Sequence, residues 1–184
     1  QAGLAGRRVC WLETRADQGW LLRPEVLEAA CADGARARVL LLNSPSNPTG
    51  CAHHPEALRS LAEVCRRHQI LVVSDEIYGE LHHSGEHASM ARFYPEGTIV
   101  SAGLSKWCGA GGWRLGTFCF PPELDFLLRA MCAVASESFT SVSAPVQHAA
   151  ITAFEPSEEI LDYLNRSRRV LKALGEWCQG RLVG

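Results

Sequence analysis

The stretch Ser101–Gly116, SAGLSKWCGAGGWRLG, decides how this chain is read. It continues a strand-like run, Thr98-Ile99-Val100-Ser101, and it carries Lys106. Of the 18 basic residues only Lys106 and Lys172 are lysines, so a plain surface charge in this chain would be an arginine by composition. Lysine offers what arginine does not, an amine whose proton can be removed. Glycines 109, 111 and 112 follow, and then Arg114, a fork of donors suited to an anion. A strand delivers the amine, a glycine-rich turn surrounds it, and a permanent cation closes the segment. That order suits a nucleophilic amine working on a charged ligand.

Two stretches upstream extend the pattern. Ile70–Val73 reads as a buried strand running into Ser74-Asp75-Glu76-Ile77-Tyr78. Asp75 therefore falls where a parallel strand ends, and a carboxylate there needs a partner. Val39–Leu42 is a continuous apolar run, expected to be a strand buried on both faces. It leads into Asn43–Gly50, NSPSNPTG, whose prolines and glycine forbid helix and strand. Open α/β sheets bind ligands at the carboxyl ends of their strands, and this loop lies at one.

The rest of the chain supplies scaffold. Val9–Glu13 is short and apolar and is expected to be a strand, and Pro24 opens a helix with Val26, Leu27 and Ala30 on one side. Pro55–His68 is a helix by the recurrence of Leu58, Leu61, Ala62 and Cys65, with Arg59, Glu63 and Arg66 facing water. His82–Glu96 is polar and loop-like, pinned by Met90, Phe93 and Tyr94. Leu115–Phe120 is a strand that Pro121-Pro122 ends, and Glu123–Ala135 is helical by pattern. Ser136–Ala144 is rich in hydroxyls, and Pro145–Phe154 is a short apolar helix. Ser157, with Glu158 and Glu159 behind it, starts a long helix to about Cys178.

The three motifs, NSPSNPTG, VVSDEIYGEL and SAGLSKWCGAGGWRLG, stand in the order found in the fold-type I, pyridoxal-phosphate-dependent aminotransferases, and the chain resembles that aspartate aminotransferase-like group. The resemblance covers about Val9 to Trp177. It implies an α/β fold, a three-layer α/β/α sandwich with a mostly parallel sheet, of which this chain is the second half of the large domain. Residues 1–155 are then part of the large cofactor-binding domain. Residues 156–184 are a long helix leading towards a small domain outside this sequence. The Leu115–Phe120 strand is antiparallel by the same resemblance, and the Asn47–Pro48 bond is cis.

The resemblance also assigns roles. Lys106 forms a Schiff base with pyridoxal 5'-phosphate and shuttles the substrate's α proton. Asp75 pairs with the pyridine nitrogen, keeping the ring an electron sink. Tyr78 and Asn47 bond the ring's 3'-oxygen, and Arg114 clamps the phosphate. Catalysis thus falls to Lys106, Asp75 and Tyr78. Ser141 is a candidate for the partner subunit's phosphate. Many members have a hydroxyl three residues before the lysine; here that position is Gly103, and Ser101 and Ser105 stay unassigned. The implied activity is transfer of an amino group from an amino acid to a 2-oxo acid, by a homodimer of the longer protein. The family's ring-stacking aromatic and substrate-binding arginine lie outside this stretch, so the 184 residues alone are expected to be inactive. A lyase or synthase of the carbon–sulfur lyase or aminocyclopropane-carboxylate synthase type uses the same motifs. So does an aminotransferase-like sensor domain of a transcription regulator.

Composition narrows the classes. A chain that is 47% hydrophobic and 21% charged suits a domain with a real core. A net charge of -2 without a basic run gives no face for nucleic acid, and no apolar run approaches a membrane span. The eight cysteines form no Cys-x-x-Cys pair, which suits buried, reduced thiols and a cytoplasmic protein. Histidines 53, 54, 82, 83 and 87 lie in polar sequence and are expected to be solvated loop residues, with no metal site.

Overall fold

A computed structural model of the chain describes residues 2–32, 37–83 and 86–182. Its strands are β1 (Val39–Asn43), β2 (Leu71–Asp75), β3 (Thr98–Gly103) and β4 (Gly116–Cys119), in the order β1-β2-β3-β4. The first three run parallel and β4 is antiparallel to β3, as the resemblance implies. The register sets Asn43 beside Asp75, Asp75 beside Ser101, and Ser101 beside Phe118. Three polar residues thus line up at the carboxyl ends of three neighbouring strands.

The helices are α1 (Pro24–Ala32), α2 (Pro55–Arg67), α3 (Asp125–Ser138), α4 (Ala144–Phe154) and α5 (Glu158–Leu182). In α2 the apolar spacing works as read: Leu58, Leu61, Ala62 and Cys65 are at most 1% exposed, and Arg59, Glu63 and Arg66 are exposed. That face meets Leu40, Leu42, Ile70 and Val72 of the sheet region, Leu22 before α1 and Leu27 within it, which makes the first core. Each large aliphatic side chain buried there contributes roughly 2 kcal/mol. Ser157 caps α5, its Oγ accepting the Ile160 N–H at 3.2 Å.

A second core forms at the other end of the sheet. Leu104, Trp107, Leu115, Ala150 and Leu164 are buried together, and the Trp107 and Phe154 ring centres lie 6.2 Å apart. These contacts hold the turn that carries Lys106 against α4 and α5.

Three expectations change. Val9–Glu13 takes no regular secondary structure and joins no sheet. In β1 burial alternates: Leu40 and Leu42 are covered, whereas Val39 and Leu41 are 57% and 73% exposed. One face of that edge strand packs on helices and the other is open. Of the eight thiols only Cys65 is fully buried, and burial pushes it up to about 12. Cys10, Cys119, Cys132 and Cys178 are exposed.

Candidate active site

The site lies at the strand ends. β2 delivers Asp75, half-buried, whose Oδ1 accepts the Ile77 N–H at 3.3 Å. The turn this bond makes carries the chain to Tyr78. The Tyr78 hydroxyl accepts the Asn47 Nδ2–H at 3.2 Å, which joins the loop after β1 to the loop after β2. The Lys106 ammonium stands 5.4 Å from the centre of the Tyr78 ring, within reach of a cation–π attraction. Four sequence-predicted residues, Asn47, Asp75, Tyr78 and Lys106, therefore meet through contacts or near neighbours in the chain.

Asn43 fixes this arrangement, a role its sequence does not announce. Its Nδ2 donates to the Asp75 carbonyl at 3.1 Å and its Oδ1 accepts the Asn47 N–H at 2.8 Å. The Ser44 N–H donates to the same Asp75 carbonyl at 3.1 Å. The loop contains two cis peptide bonds, Ser44–Pro45 and the expected Asn47–Pro48.

Lys106 sits on a turn closed by Gly109 N–H to Lys106 O at 3.2 Å and Ala110 N–H to Leu104 O at 3.1 Å. Gly109 has φ +65°, a left-handed conformation that favours glycine. Leu104 and Trp107 point into the second core and Lys106 is exposed, so apolar anchors on both sides hold the amine up. Arg114 ends the segment in the left-handed region at φ 59°, and its Nη1–H donates to the Gly111 carbonyl at 2.6 Å. Its other donors have no partners among the described residues.

Gly103 explains one departure from the usual motif. A Cβ there would lie 2.7 Å from the Leu115 carbonyl oxygen and 3.0 Å from the Gly116 Cα. The β3 and β4 backbones approach too closely at this point for any side chain. The Ser141 hydroxyl is exposed on the segment before α4, and its backbone N–H bonds the Phe139 carbonyl at 2.9 Å.

Among the described residues none of Asp75, Lys106 and Arg114 forms an ion pair within the chain. Glu76, the neighbour of Asp75, contrasts with them. It is buried and accepts from Ser74 Oγ at 2.8 Å, Ser89 Oγ at 2.9 Å and the Met90 N–H at 3.2 Å, and pairs with His87 Nε2 at 2.7 Å. Burial would raise its pKa, but the bonds from His87, Ser74 and Ser89 and the His87 charge outweigh it and hold the carboxyl below its ordinary value.

The histidines correct a further expectation. His87 is bound to Glu76, and His53 is buried between the Leu22 N–H, 3.1 Å from Nε2, and Ser44 Oγ, 3.3 Å from Nδ1. Of the five histidines expected to be solvated, His54 and His83 are freely exposed, and His82 is partly covered. Glu76 is within reach of sequence reasoning, because alternation along Val72-Ser74-Glu76 turns it to the covered face and Asp75 to the other.

Comparison with known proteins places this geometry. The family described as aminotransferase class I and II matches residues 2–182. The chain is 35% identical over 168 residues to an aspartate/prephenate aminotransferase of Thermus thermophilus, covering 91% of this chain and 42% of that protein. It is 34% identical over 171 residues to an aspartate aminotransferase of Geobacillus stearothermophilus, with the same two shares. The solved structure of the Thermus thermophilus aspartate aminotransferase with maleate superposes with a TM-score of 0.84 at 35% identity, covering 91% of this chain and 42% of that one. The chain thus spans less than half the length of these relatives. With residues 2–182, nearly all of its length, matched by the family, the chain belongs to the class I and II aminotransferase family.

Proposed function

We propose that the full-length protein containing this chain is an amino-acid aminotransferase, moving an amino group from an amino acid to a 2-oxo acid with pyridoxal 5'-phosphate. The observation that carries this reading is the set of three residues, Asp75, Lys106 and Arg114, that form no ion pair among the described residues and lie around the strand ends with Tyr78 and Asn47. The donor set fits the cofactor group by group. Asp75 has one carboxylate oxygen without a hydrogen-bond donor among the described residues, suited to a protonated ring nitrogen. Arg114 has one Nη1–H on the Gly111 carbonyl, and its other donors, without partners among the described residues, suit a phosphate.

When bound, the cofactor supplies an electron sink for negative charge developing at the substrate's α carbon. The chain supplies the rest. Lys106 would hold the cofactor through its amine and, once released, move the proton at the α carbon. Asp75 would keep the ring nitrogen protonated. Asn47, through its second Nδ2–H, and Tyr78, through its hydroxyl proton, would each donate to the ring oxygen, and their mutual hydrogen bond would hold them side by side. Gly103 offers no hydroxyl to the phosphate; Ser101 or Ser105 would substitute for it, and Ser141 would reach the phosphate of the partner subunit.

On this reading residues 1–155 belong to a large cofactor-binding domain, and residues 156–184 lead towards a small one. The protein works as a cytoplasmic homodimer. Among the described residues no helix is long and apolar enough to cross a membrane. The test is an assay of the full-length protein with added cofactor against a panel of amino acids and 2-oxo acids. Formation of the new amino acid is expected. Release of ammonia and a 2-oxo acid without transfer would assign a lyase instead, and no reaction with any pair would overturn the reading.

A further inference from the structure

We propose that His53 is a positioning residue: its imidazole ties Ser44, at the root of the Asn43–Gly50 loop, to the backbone of Leu22, and so sets Asn47 against Tyr78. The proposal rests on the reading of Asn47 as a cofactor contact.

The geometry fixes the tautomer. Leu22 N–H points at His53 Nε2 from 3.1 Å, so Nε2 must offer a lone pair. The ring proton is then on Nδ1 and donates to Ser44 Oγ at 3.3 Å. The same oxygen accepts the His53 backbone N–H at 3.1 Å. Ser44 and His53 are only 4% and 9% exposed, so water does not replace these bonds. Through them a segment 31 residues upstream is fastened beneath the loop.

The loop transmits the constraint. Ser46 N–H bonds the Cys51 carbonyl at 2.9 Å, Gly50 N–H bonds the Ser46 carbonyl at 2.8 Å, and Asn47 N–H bonds Asn43 Oδ1 at 2.8 Å. Asn47 is exposed, and among the described residues its one side-chain bond to another element is the one to Tyr78. Where its amide stands therefore depends on the frame that His53 fastens to Leu22.

The strap is also sensitive to protons. An imidazolium would turn a second N–H on Nε2 directly at the Leu22 N–H, and two donors cannot share the contact. Burial already pushes His53 below its ordinary value. The charged and titratable groups around it do not offer a replacement. Cys51, His54 and Glu56 flank it on its own segment; beside Leu22, Arg23 bonds Glu25 at 3.2 Å. β2 presents to Ser44 the Asp75 backbone carbonyl and not its carboxylate.

The test uses the full-length protein and follows amide hydrogen exchange, corrected for intrinsic rates, at Ser46, Asn47 and Gly50. His53→Ala is expected to speed exchange there by ~10-fold or more and to leave the β2 amides of Val72 and Val73 unchanged. His53→Gln, whose carboxamide can accept from Leu22 and donate to Ser44, is expected to restore protection. The parent at pH 5 should move towards His53→Ala, and His53→Gln should not. Should His53→Ala fail to fold, Ser44→Ala removes the hydroxyl alone and is read the same way. Unchanged loop exchange, or equal acid sensitivity in the parent and His53→Gln, would overturn the strap. A second arm follows the pH midpoint of the absorbance of Lys106-bound cofactor. His53→Ala should shift it in the direction that Asn47→Ala does. A shift in Asn47→Ala alone would overturn the positioning role. No shift in Asn47→Ala would overturn the reading of Asn47 instead, and the exchange arm would still decide whether the strap exists.

Discussion

The two faces of the sheet treat charge in opposite ways. On the face covered by α1 and α2, Leu40, Leu42, Val72 and Ser74 are buried, and the carboxylate that follows in the same alternation, Glu76, has four partners of its own. On the other face Val39 and Leu41 are open, and the Asp75 side chain, beside Asn43 on the neighbouring strand, accepts a single backbone N–H among the described residues. Two adjacent acids therefore meet different fates. A buried carboxylate without donors would be prohibitively costly, so the fold builds them. A half-buried one without a cation is available for a ligand. The difference separates residues that hold the structure from residues that await chemistry.

Substitutions can sharpen or break that division. Lys106→Ala carries the largest expected effect: turnover of the full-length protein should fall by ~10³-fold or more, with thermal stability unchanged, because on the proposed reading its amine does the chemistry and among the described residues it pairs with no acid. Asp75→Ala should leave the cofactor attached but lower turnover by ~10²-fold or more, read in single-turnover kinetics. Its cost in stability should stay near or below about 1 kcal/mol. Glu76→Ala should invert the pattern, costing about 3 kcal/mol by denaturant unfolding because His87 and three further donors lose their acceptor. Equal stability losses for Asp75→Ala and Glu76→Ala would erase the contrast between the faces.

The smallest effect is on pH dependence. Glu76 and His53 both have pKa values lowered by folding, from ordinary values of 4.5 and 6.5. Each binds its proton more readily in the unfolded chain, so each contributes stability above its ordinary value and loses it as pH falls through the folded one. Stability should decline below about pH 6.5 as His53 is engaged, and again in the carboxylate range. His53→Gln should shrink the upper phase and leave the part due to His82, which partial burial also holds below its ordinary value, as measured by unfolding midpoints between pH 7 and 4.

Much of this was legible from sequence because the pattern is local. Asp75 and Tyr78 lie on one turn after a strand, and Lys106 and Arg114 lie on one glycine-rich segment, so strand and turn grammar place them. Alternation could also have separated Glu76 from Asp75, given the covered face. What sequence could not give depends on distant partners. Burial of His53 requires Leu22 to arrive from 31 residues away. The open side of β1 depends on which helices land where, and Val9–Glu13 is apolar enough for a strand but joins no sheet. The need for glycine at position 103 arises from the approach of β4, an element not yet formed when β3 is read.

The central claim is that the exposed amine of Lys106 is the covalent anchor for the cofactor. The direct measurement is borohydride reduction of the full-length protein loaded with pyridoxal 5'-phosphate, followed by peptide mapping. The reduced cofactor is expected on the peptide containing Lys106, and Lys172, on the outer part of α5, should be unlabelled. A label on Lys172, or a fully loaded protein with no label on Lys106, would contradict it.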